Sequence, residues 1–233
     1  MYIKIIASGS KGNATKISDG TTSLLLDAGV SISELDTRTN FTLSSILGCF
    51  ITHEHKDHSR AIKDLAKRGI DIYASAGTFN ELGLKGHRYN AMPSHNSVTI
   101  GTLRIVAFDV RHDSAEPLGF LIQSIKTGDK LVYFSDTAFV KYKFTGLTHI
   151  IAECNHGETE LRQSVLAGII SPELAIRITK NHMSIERLVE FINANDLSRL
   201  KTVYIIHLSD NNSNIDKFNM AIQSITGAEV YAY

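Results

Sequence analysis

The segment His53-Glu54-His55-Lys56-Asp57-His58 places four side chains able to bind a metal within six residues. The apolar run Ile46–Thr52 before it predicts a buried strand. Ser59–Arg68 after it has the 3.6-residue apolar period of a helix, which Gly69 ends. Side chains on a strand-to-helix turn can converge on one point while the scaffold stays rigid. The segment therefore predicts a metal site.

The spacing within this segment favours two adjacent metal sites. His53 and His55 are two residues apart, so in extended backbone they point to the same side. Asp57 and His58 are turned elsewhere by the helix that follows. Imidazole and carboxylate ligands suit Zn²⁺, with Mn²⁺ as a further possibility. A solvated helix-capping turn is the alternative, but it leaves several polar groups uncompensated at one strand end.

The remaining pattern predicts an α/β fold, α+β in some schemes, as one domain over residues 1–233 without internal repeats. Strand-like runs dominate the first half, and helices alternate with strands in the second half. The expected strands are 1–7, 22–27, 71–74, 98–100, 103–109, 118–125, 130–135, 148–152, 202–207 and 229–231. The expected helices, besides a short one within 31–45, are 78–82, 158–166, 172–179, 184–193 and 215–225.

Composition limits the class of protein and substrate. Hydrophobic residues make up 43% and charged residues 21%, which excludes disorder as the main state. Lys plus Arg is 24 and Asp plus Glu is 24. This neutral balance, without a Lys/Arg-rich stripe in the sequence, argues against a long polyanionic substrate.

Two cysteines, Cys49 and Cys154, are too few for a disulfide framework, and their apolar neighbours predict buried thiols. The first residues read as a strand rather than a signal peptide, and no apolar run approaches the ~20 residues that span a bilayer. We expect a cytoplasmic protein, in a bacterium or in a phage-infected host.

The motif His53-x-His55-x-Asp57-His58 resembles the signature of the metallo-β-lactamase fold superfamily, and the resemblance extends over nearly the whole chain. Within that superfamily the sequence looks like the YycJ/WalJ branch, which is related to tRNase Z, and like the phage anti-Pycsar cyclic nucleotide phosphodiesterases. The other matching segments are 8–13, 26–29, 112–120, 135–137, 153–156 and 207–212. The resemblance implies a four-layer αββα sandwich.

The resemblance also implies a ligand set for two Zn²⁺ ions. His53, His55 and His112 would bind one metal, Asp57, His58 and His207 the other, and Asp136 would bridge them. Independently of the resemblance, His112, Asp136 and His207 each follow a predicted strand, where loops can gather at one sheet edge. Two Zn²⁺, two aspartates and a bridging hydroxide leave a charge of about +1, which suits a singly charged phosphodiester.

Asp57 and His182 are the expected catalytic residues. The leaving alkoxide needs a proton, and His182, which precedes a predicted helix, could supply it as an imidazolium. This role comes from the resemblance to tRNase Z-like proteins. Ser10, Asn13 and His156 are candidate substrate contacts, although a plain turn and a pocket wall explain them equally well.

These observations predict a metal-dependent phosphodiesterase that hydrolyses 3′,5′-cyclic nucleotides to nucleoside monophosphates and so could defeat cyclic-nucleotide anti-phage signalling. A WalJ-like DNA exonuclease or a tRNase Z-like nuclease is the alternative. A thioesterase with the same ligands and a non-catalytic binding module also stay open. The aromatic segment Phe139–Phe144 could cover a partner's site in a homodimer or pack within its own chain. Glu54 and Lys56 are expected to be solvent-facing spacers.

Overall fold

A computed structural model describes all residues from Met1 to Tyr233. The chain divides into two compact units. The first consists of Met1–Asp109 and Ser114–Asp129, and the second of Val110–Asp113 and Lys130–Tyr233. The single domain over 1–233 stays a prediction.

The first unit holds nine strands and four α-helices. The strands are β1 (Tyr2–Ala7), β2 (Ala14–Ser18), β3 (Ser23–Leu26), β4 (Ile46–Phe50), β5 (Asp71–Ala74), β6 (Tyr89–Ala91), β7 (Ser97–Ile100), β8 (Leu103–Asp109) and β9 (Leu118–Ser124). The helices are α1 (Ile32–Arg38), α2 (Lys56–Ser59), α3 (Ile62–Lys67) and α4 (Ala76–Glu81), and a 3₁₀ turn covers Leu43–Ser45.

Strands β1 to β6 form a six-stranded sheet in sequence order. The pairs β1–β2 and β2–β3 are antiparallel, whereas β3, β4, β5 and β6 run parallel. Strands β7, β8 and β9 pair antiparallel in a meander. Because β3 and β4 are parallel, their C-terminal ends meet at one sheet edge, and the histidine-rich segment leaves β4 at that edge.

Apolar side chains from the helices and from the six-stranded sheet form one core in the first unit. Leu35 of α1 and Ile62 and Leu65 of α3 pack with Leu25 of β3 and Ile51, which follows β4, and all are 0–1% exposed. Burial of each such side chain contributes about 1.5–3 kcal/mol. This core holds the strand ends that lead into the histidine-rich segment.

The second unit alternates strands and helices. The elements are β10 (Lys130–Phe134), β11 (His149–Glu153), α5 (Glu158–Leu166), α6 (Pro172–Asn181), α7 (Ile185–Asn193), β12 (Thr202–Ile206), α8 (Ile215–Thr226) and β13 (Glu229–Ala232). The four strands are parallel neighbours in the order β10-β11-β12-β13. Every residue of β11 is buried, as in a parallel strand covered on both faces.

The α/β class is confirmed, and most predicted elements are present within one or two residues. The predicted helix over 59–68 is wrong in detail, because the structure has α2 and α3 there. Arg60 and Ala61 separate them, and the N–H of Ala61 donates to the carbonyl of Ala28 rather than within a helix. Sequence patterns also missed β2 and β6, which are too short or too polar for a clear period. No helix has the length and apolarity needed to cross a membrane.

Candidate metal centre

The first unit gathers its four predicted ligands on the segment between β4 and α2. His53 and His55 lie in the loop that leads into α2, with His55 at its N-cap, and Asp57 and His58 lie in the first turn of α2. The Nε2 atom of His53 is 3.0 Å from Nδ1 of His55, and the rings of His53 and His58 are 4.2 Å apart. Nε2 of His58 is 3.6 Å from a carboxylate oxygen of Asp57. Three imidazoles and one carboxylate therefore share one small volume.

Asp27, directly after β3, is hydrogen-bonded to this segment. Its carboxylate is fully buried and accepts hydrogen bonds from the Thr52 N–H at 2.8 Å, from the Thr52 hydroxyl at 3.0 Å, and from Nδ1 of His58 at 2.9 Å. Asp27 has a φ of +56°, a left-handed conformation that aspartate tolerates better than most residues. The residue thus combines a strained backbone with a fully bonded side chain, as residues at functional sites often do.

These hydrogen bonds set the tautomers of two histidines. The carboxylate of Asp27 can only accept, so Nδ1 of His58 carries the proton and its Nε2 carries the lone pair. The Thr52 hydroxyl gives its single proton to Asp27, so it must accept from Nδ1 of His53 at 3.0 Å. Nε2 of each ring therefore carries a lone pair that a metal could bind, and in the structure it faces Nδ1 of His55 in the case of His53 and the amide nitrogen of Asn13 in the case of His58. Fixing the ring nitrogen opposite the ligand atom in this way is typical of metal-binding histidines.

Asn13 joins the loop after β1 to the same segment. Its amide nitrogen donates to the carbonyl of Gly9 and lies 3.0 Å from Nε2 of His58, and its backbone N–H donates to the carbonyl of Asp57 at 2.7 Å. Asn13 is 1% exposed, so the structure places it as a support of His58. Ser10, in the same loop, is exposed.

Gly29 is required by close backbone approach. A Cβ atom there would lie 1.6 Å from the carbonyl oxygen of Asp57 and 2.7 Å from the backbone nitrogen of Asn13. Any larger residue would displace the start of α2. The Leu26–Gly29 strand end thus contributes both the carboxylate of Asp27 and the space in which Asp57 sits.

The expectation that Glu54 is a solvent-facing spacer is wrong, whereas Lys56 is exposed as predicted. Glu54 is half-buried, and its Oε1 accepts the N–H of Ala115 at 2.8 Å. Its backbone carbonyl accepts the hydroxyl of Ser59. Glu54 therefore ties the histidine-rich segment to the 114–117 loop of the same unit, an interaction that no local pattern in the sequence reveals.

The second unit gathers His112, Asp136 and His207. Nε2 of His112 is 3.6 Å from Oδ2 of Asp136, and Nε2 of His207 is 3.5 Å from Oδ1 of Asp136. All three side chains are at most 7% exposed. One carboxylate thus lies between two imidazoles, with one oxygen toward each.

The backbone of this group and one hydrogen bond of His112 also fit ligand roles. Asp136 follows β10 and His207 follows β12, with φ values of +46° and +57°. Such left-handed residues are uncommon outside glycine and cluster at functional sites. Nδ1 of His112 lies 3.2 Å from the carbonyl oxygen of Asn181, which can only accept. Nδ1 of His112 therefore donates to this carbonyl, and its Nε2 faces the carboxylates of Asp113 at 3.2 Å and Asp136 at 3.6 Å.

His182 is held by Glu153, the last residue of β11. Nδ1 of His182 donates to Oε1 of the fully buried Glu153 at 2.5 Å, and Oε2 of Glu153 accepts the backbone N–H of Thr137 at 2.8 Å. Burial by itself lowers the pKa of His182, but the charge and hydrogen bond of Glu153 more than offset this and raise the pKa to about 9. His182 is therefore an imidazolium at neutral pH.

His156 is 1% exposed, and neither of its ring nitrogens has a hydrogen-bond partner. Its backbone carbonyl accepts the N–H of Ile185, which places it beside the start of α7. Burial lowers the pKa of His156 to about 4, so the ring is neutral at physiological pH. A buried neutral imidazole without partners can still accept or donate one hydrogen bond to a bound molecule.

Both groups fit a divalent metal by the chemistry of their donors. The side-chain donor atoms of Asp136, Glu153, His182 and His207 all lie within 4.8 Å of one another. In the first unit, His53, His55 and His58 are packed with Asp57 as described above. Neutral imidazoles and carboxylates at such spacing are the ligands that Zn²⁺ and Mn²⁺ prefer. Every group of three or more closely spaced His, Cys, Asp or Glu donor atoms consists of predicted ligands, together with Glu153 and His182 in one case.

Two functional residues, Asp27 and Glu153, were not predicted from sequence. Each is a carboxylate at the end of a strand whose other residues are largely buried. A buried carboxylate needs several hydrogen-bond donors, so a charged residue that directly ends an apolar strand is a usable signal. Its partner could not be predicted, because Asp27 and His58 are 31 residues apart and Glu153 and His182 are 29 apart.

The aromatic segment after Asp136 borders a cleft within the second unit. The cleft has a volume of about 470 Å³. It is lined by residues 139–143 and by the side of α7 that carries Arg187 and Glu190. Phe139 is 42% exposed, and Phe144 packs against Phe191 of α7 with ring centroids 6.2 Å apart. The segment thus packs partly within its own chain, and homodimer formation stays a prediction.

The family model described as the Beta-lactamase superfamily domain matches residues 22–208. Exodeoxyribonuclease YycJ of Bacillus anthracis is 24% identical over 241 residues, which cover 97% of this chain and 89% of that protein. Exodeoxyribonuclease WalJ of Streptococcus pneumoniae is 28% identical over 224 residues, which cover 90% and 82%.

Solved structures share the fold over the full chain. The metallo-β-lactamase fold protein YhfI from Bacillus subtilis superposes with a TM-score of 0.76 at 16% identity and covers 99% of this chain and 95% of its own. Human tRNase Z, short form, superposes with a TM-score of 0.65 at 15% identity and covers 100% and 96%. These similarities confirm the predicted metallo-β-lactamase fold.

Proposed function

The chain belongs to the β-lactamase superfamily domain family, a family of metallo-hydrolases, and on that premise we propose that it is a metal-dependent phosphodiesterase. The observation that supports this is the pairing of carboxylates with histidines in each unit. In the first unit Asp27 accepts the Nδ1 proton of His58, so that Nε2 carries the lone pair. In the second unit Glu153 accepts the Nδ1 proton of His182 and raises its pKa. A protonated histidine beside the predicted metal ligands can donate a proton to the alkoxide that leaves when a phosphodiester bond is cleaved.

We assign the ligands as the family resemblance implies. His53, His55 and His112 would hold one metal, Asp57, His58 and His207 would hold the other, and Asp136 would be shared between the two. Two Zn²⁺ ions are the expected cofactors, with Mn²⁺ as a functional substitute. When bound, such metals neutralise phosphate charge and bring the pKa of a bound water to about 7.

The protein side chains then position charge and move one proton. With two metals bound, the carboxylates of Asp57 and Asp136 would offset part of the metal charge, which would suit the centre to a phosphodiester rather than to a dianion. His182 donates the proton on Nε2 to the leaving oxygen, while Glu153 keeps Nδ1 protonated and the ring oriented. His156, neutral and without partners, is available for a hydrogen bond to the substrate, and Ser10 in its exposed loop is a second candidate contact. Asn13, whose amide is bonded to Gly9, contributes through His58.

The substrate proposed first is a 3′,5′-cyclic nucleotide, hydrolysed to a nucleoside monophosphate. The equal numbers of acidic and basic residues support this choice, since a small substrate does not need a strongly basic protein. The setting would be the destruction of cyclic-nucleotide anti-phage signals in the cytoplasm of a bacterium or an infected cell. A homodimer is proposed with it, with the Phe139–Phe144 segment as the contact.

DNA is the second candidate substrate, and the relatives support it. Both YycJ and WalJ are named exodeoxyribonucleases, and the similarity extends over at least 90% of this chain. An exonuclease needs the same metal ligands and the same proton donor, but it must also hold a strand.

The deciding experiment incubates the metal-loaded protein with cyclic AMP, GMP, CMP and UMP and, in parallel, with linear single- and double-stranded DNA. Chromatography of the products distinguishes the two candidates, and Asp136→Asn protein is the inactive control. Conversion of cyclic nucleotides alone supports the first candidate, and digestion of DNA alone supports the second. If neither substrate, nor a chromogenic phosphodiester such as bis(p-nitrophenyl) phosphate, is cleaved, the phosphodiesterase proposal is refuted.

A further inference from the structure

A basic cleft lies in the first unit, away from the histidine-rich segment. It has a volume of about 380 Å³ and is bounded by α3 and by the 83–89 segment that leads into β6. Four cationic side chains, Lys63, Lys67, Lys85 and Arg88, line it together with His87 and Tyr89. We refer to it as the α3 cleft.

The position of the α3 cleft follows from strand direction. Strands β4, β5 and β6 are parallel, and the histidine-rich segment leaves the C-terminal end of β4. The 83–89 segment enters the N-terminal end of β6, at the opposite edge of the same sheet. None of the residues that line the cleft is among the predicted metal ligands. The cleft is therefore a separate site and not an extension of the metal centre.

The charge of the cleft is not neutralised locally. Lys67 pairs weakly with Asp64 at 3.8 Å, and Arg88 pairs with Asp71 at 2.9 Å. Lys63 and Lys85 have no carboxylate partner, so four cations against two carboxylates leave a net charge of +2. In a protein with no net charge, this is a local excess that a bound anion would compensate.

The arrangement of the cations favours a strand over a single phosphate. Lys63 and Lys67 are four residues apart on α3, so they lie about 5–6 Å from each other on one helix face. Like charges at this spacing destabilise a helix slightly, and a bound polyanion would relieve that repulsion. Tyr89 lies beside them, half-buried and packed edge-on against Phe79 at 5.6 Å, so its position is supported. Cations that alternate with an aromatic ring are typical of single-stranded nucleic-acid sites.

We propose that the α3 cleft binds the phosphate backbone of a single nucleic-acid strand, as an accessory site remote from the metal centre. The inference is independent of which phosphodiester the metal centre hydrolyses, although in a nuclease the cleft would be a second binding site for the substrate. It is compatible with the absence of a Lys/Arg-rich stripe in the sequence. The cations come from separate segments, α3 and 85–88, so the fold assembles a basic surface that no run of residues displays.

The test measures binding of a fluorescein-labelled phosphorothioate oligothymidylate, which resists hydrolysis, to the metal-loaded protein by fluorescence anisotropy at several salt concentrations. The double variant Lys63→Ala/Lys85→Ala should bind at least tenfold more weakly at low salt. The slope of log K against log salt should fall by about 1.4, since each lost phosphate contact on a single strand contributes about 0.7. The matched control is Lys4→Ala/Lys126→Ala, which removes the same charge from exposed positions elsewhere in the first unit.

Equal losses in both double variants, or an unchanged salt slope in the cleft variant, would overturn the proposal. Thermal unfolding of each variant excludes a folding defect, and Tyr89→Phe, which keeps the ring, should retain binding. Hydrolysis of bis(p-nitrophenyl) phosphate is measured on the same samples. The cleft variant should keep that activity, because no cleft residue belongs to the metal centre. Intact strand binding without any hydrolysis would refute the proposed function and leave the cleft assignment standing, whereas hydrolysis without strand binding would do the reverse.

Discussion

Replacing Asp27 with Asn tests the central feature of the candidate metal centre, the carboxylate that orients His58. The substitution keeps the size of the side chain and removes one acceptor. Asp27 accepts from the Thr52 N–H, the Thr52 hydroxyl and Nδ1 of His58. In the variant, the amide oxygen can keep the Thr52 N–H, but the amide NH₂ then faces Nδ1–H of His58. Two donors facing each other in a fully buried site are unfavourable.

The protein can respond in two ways, and each has a magnitude. If His58 keeps its tautomer, an unsatisfied buried donor costs about 1–3 kcal/mol of folding free energy. If the proton moves to Nε2, Nδ1 can accept from the amide, but His58 no longer presents a lone pair as a ligand. Loss of such a supporting partner typically costs 10–100-fold in metal affinity, equivalent to about 1.4–2.7 kcal/mol.

The assay is a competition titration of Zn²⁺ against a chromogenic chelator, together with urea unfolding of the metal-free protein. Asp19→Asn is the matched control. Asp19 is also buried and accepts four hydrogen bonds, from the N–H groups of Thr21 and Thr22 and the hydroxyls of Thr102 and Ser124, but none from a histidine. The control should lose stability and keep its metal affinity. Wild-type metal affinity in Asp27→Asn protein, or an equal loss in the control, would refute the role assigned to Asp27.

Three further predictions concern other parts of the site. Gly29→Ala, whose Cβ would overlap the carbonyl of Asp57, should displace α2 and reduce both metal content and phosphodiesterase activity at least tenfold, as measured by elemental analysis and initial rates. Glu153→Gln should shift the alkaline limb of the kcat–pH profile, which the raised His182 pKa of about 9 sets in wild-type protein, to lower pH. The imidazolium exists only below its pKa, and without Glu153 only the charges of Asp136 and Asp113 still oppose the lowering of that pKa by burial. His207→Asn, which tolerates the left-handed φ of +57°, should lower metal content and activity while the far-UV circular dichroism spectrum stays unchanged.

Each of these predictions has an outcome that contradicts it. Wild-type activity in Gly29→Ala protein would mean that the backbone approach to Asp57 can relax. An unmoved alkaline limb in Glu153→Gln protein would show that His182 is not the group titrating there. Unchanged metal stoichiometry and rate in His207→Asn protein would remove His207 from the ligand set.

Sequence patterns located most of the strands and helices because their periodicity is local. The strand over 103–109 and the helix over 158–166 were predicted with the bounds that the structure has. Ser184 caps α7 as predicted, and Cys49 and Cys154 are buried free thiols. The helix after His58 was not predicted correctly, since the N–H of Ala61 bonds to Ala28 across the fold rather than along the helix. Local propensity contains no information about such a partner.

The sequence by itself determined the family and the residues with ligand chemistry, because four ligating side chains within six residues and strand-end His and Asp residues are visible without coordinates. The tertiary structure alone decided how those residues are held. Asp27 orients His58, Glu153 holds His182 protonated, and Glu54 anchors the histidine-rich segment. It also brought cations from α3 and the 83–89 segment into one cleft. These contacts join residues far apart in sequence, and only the packing of buried strands brings their side chains within hydrogen-bonding distance.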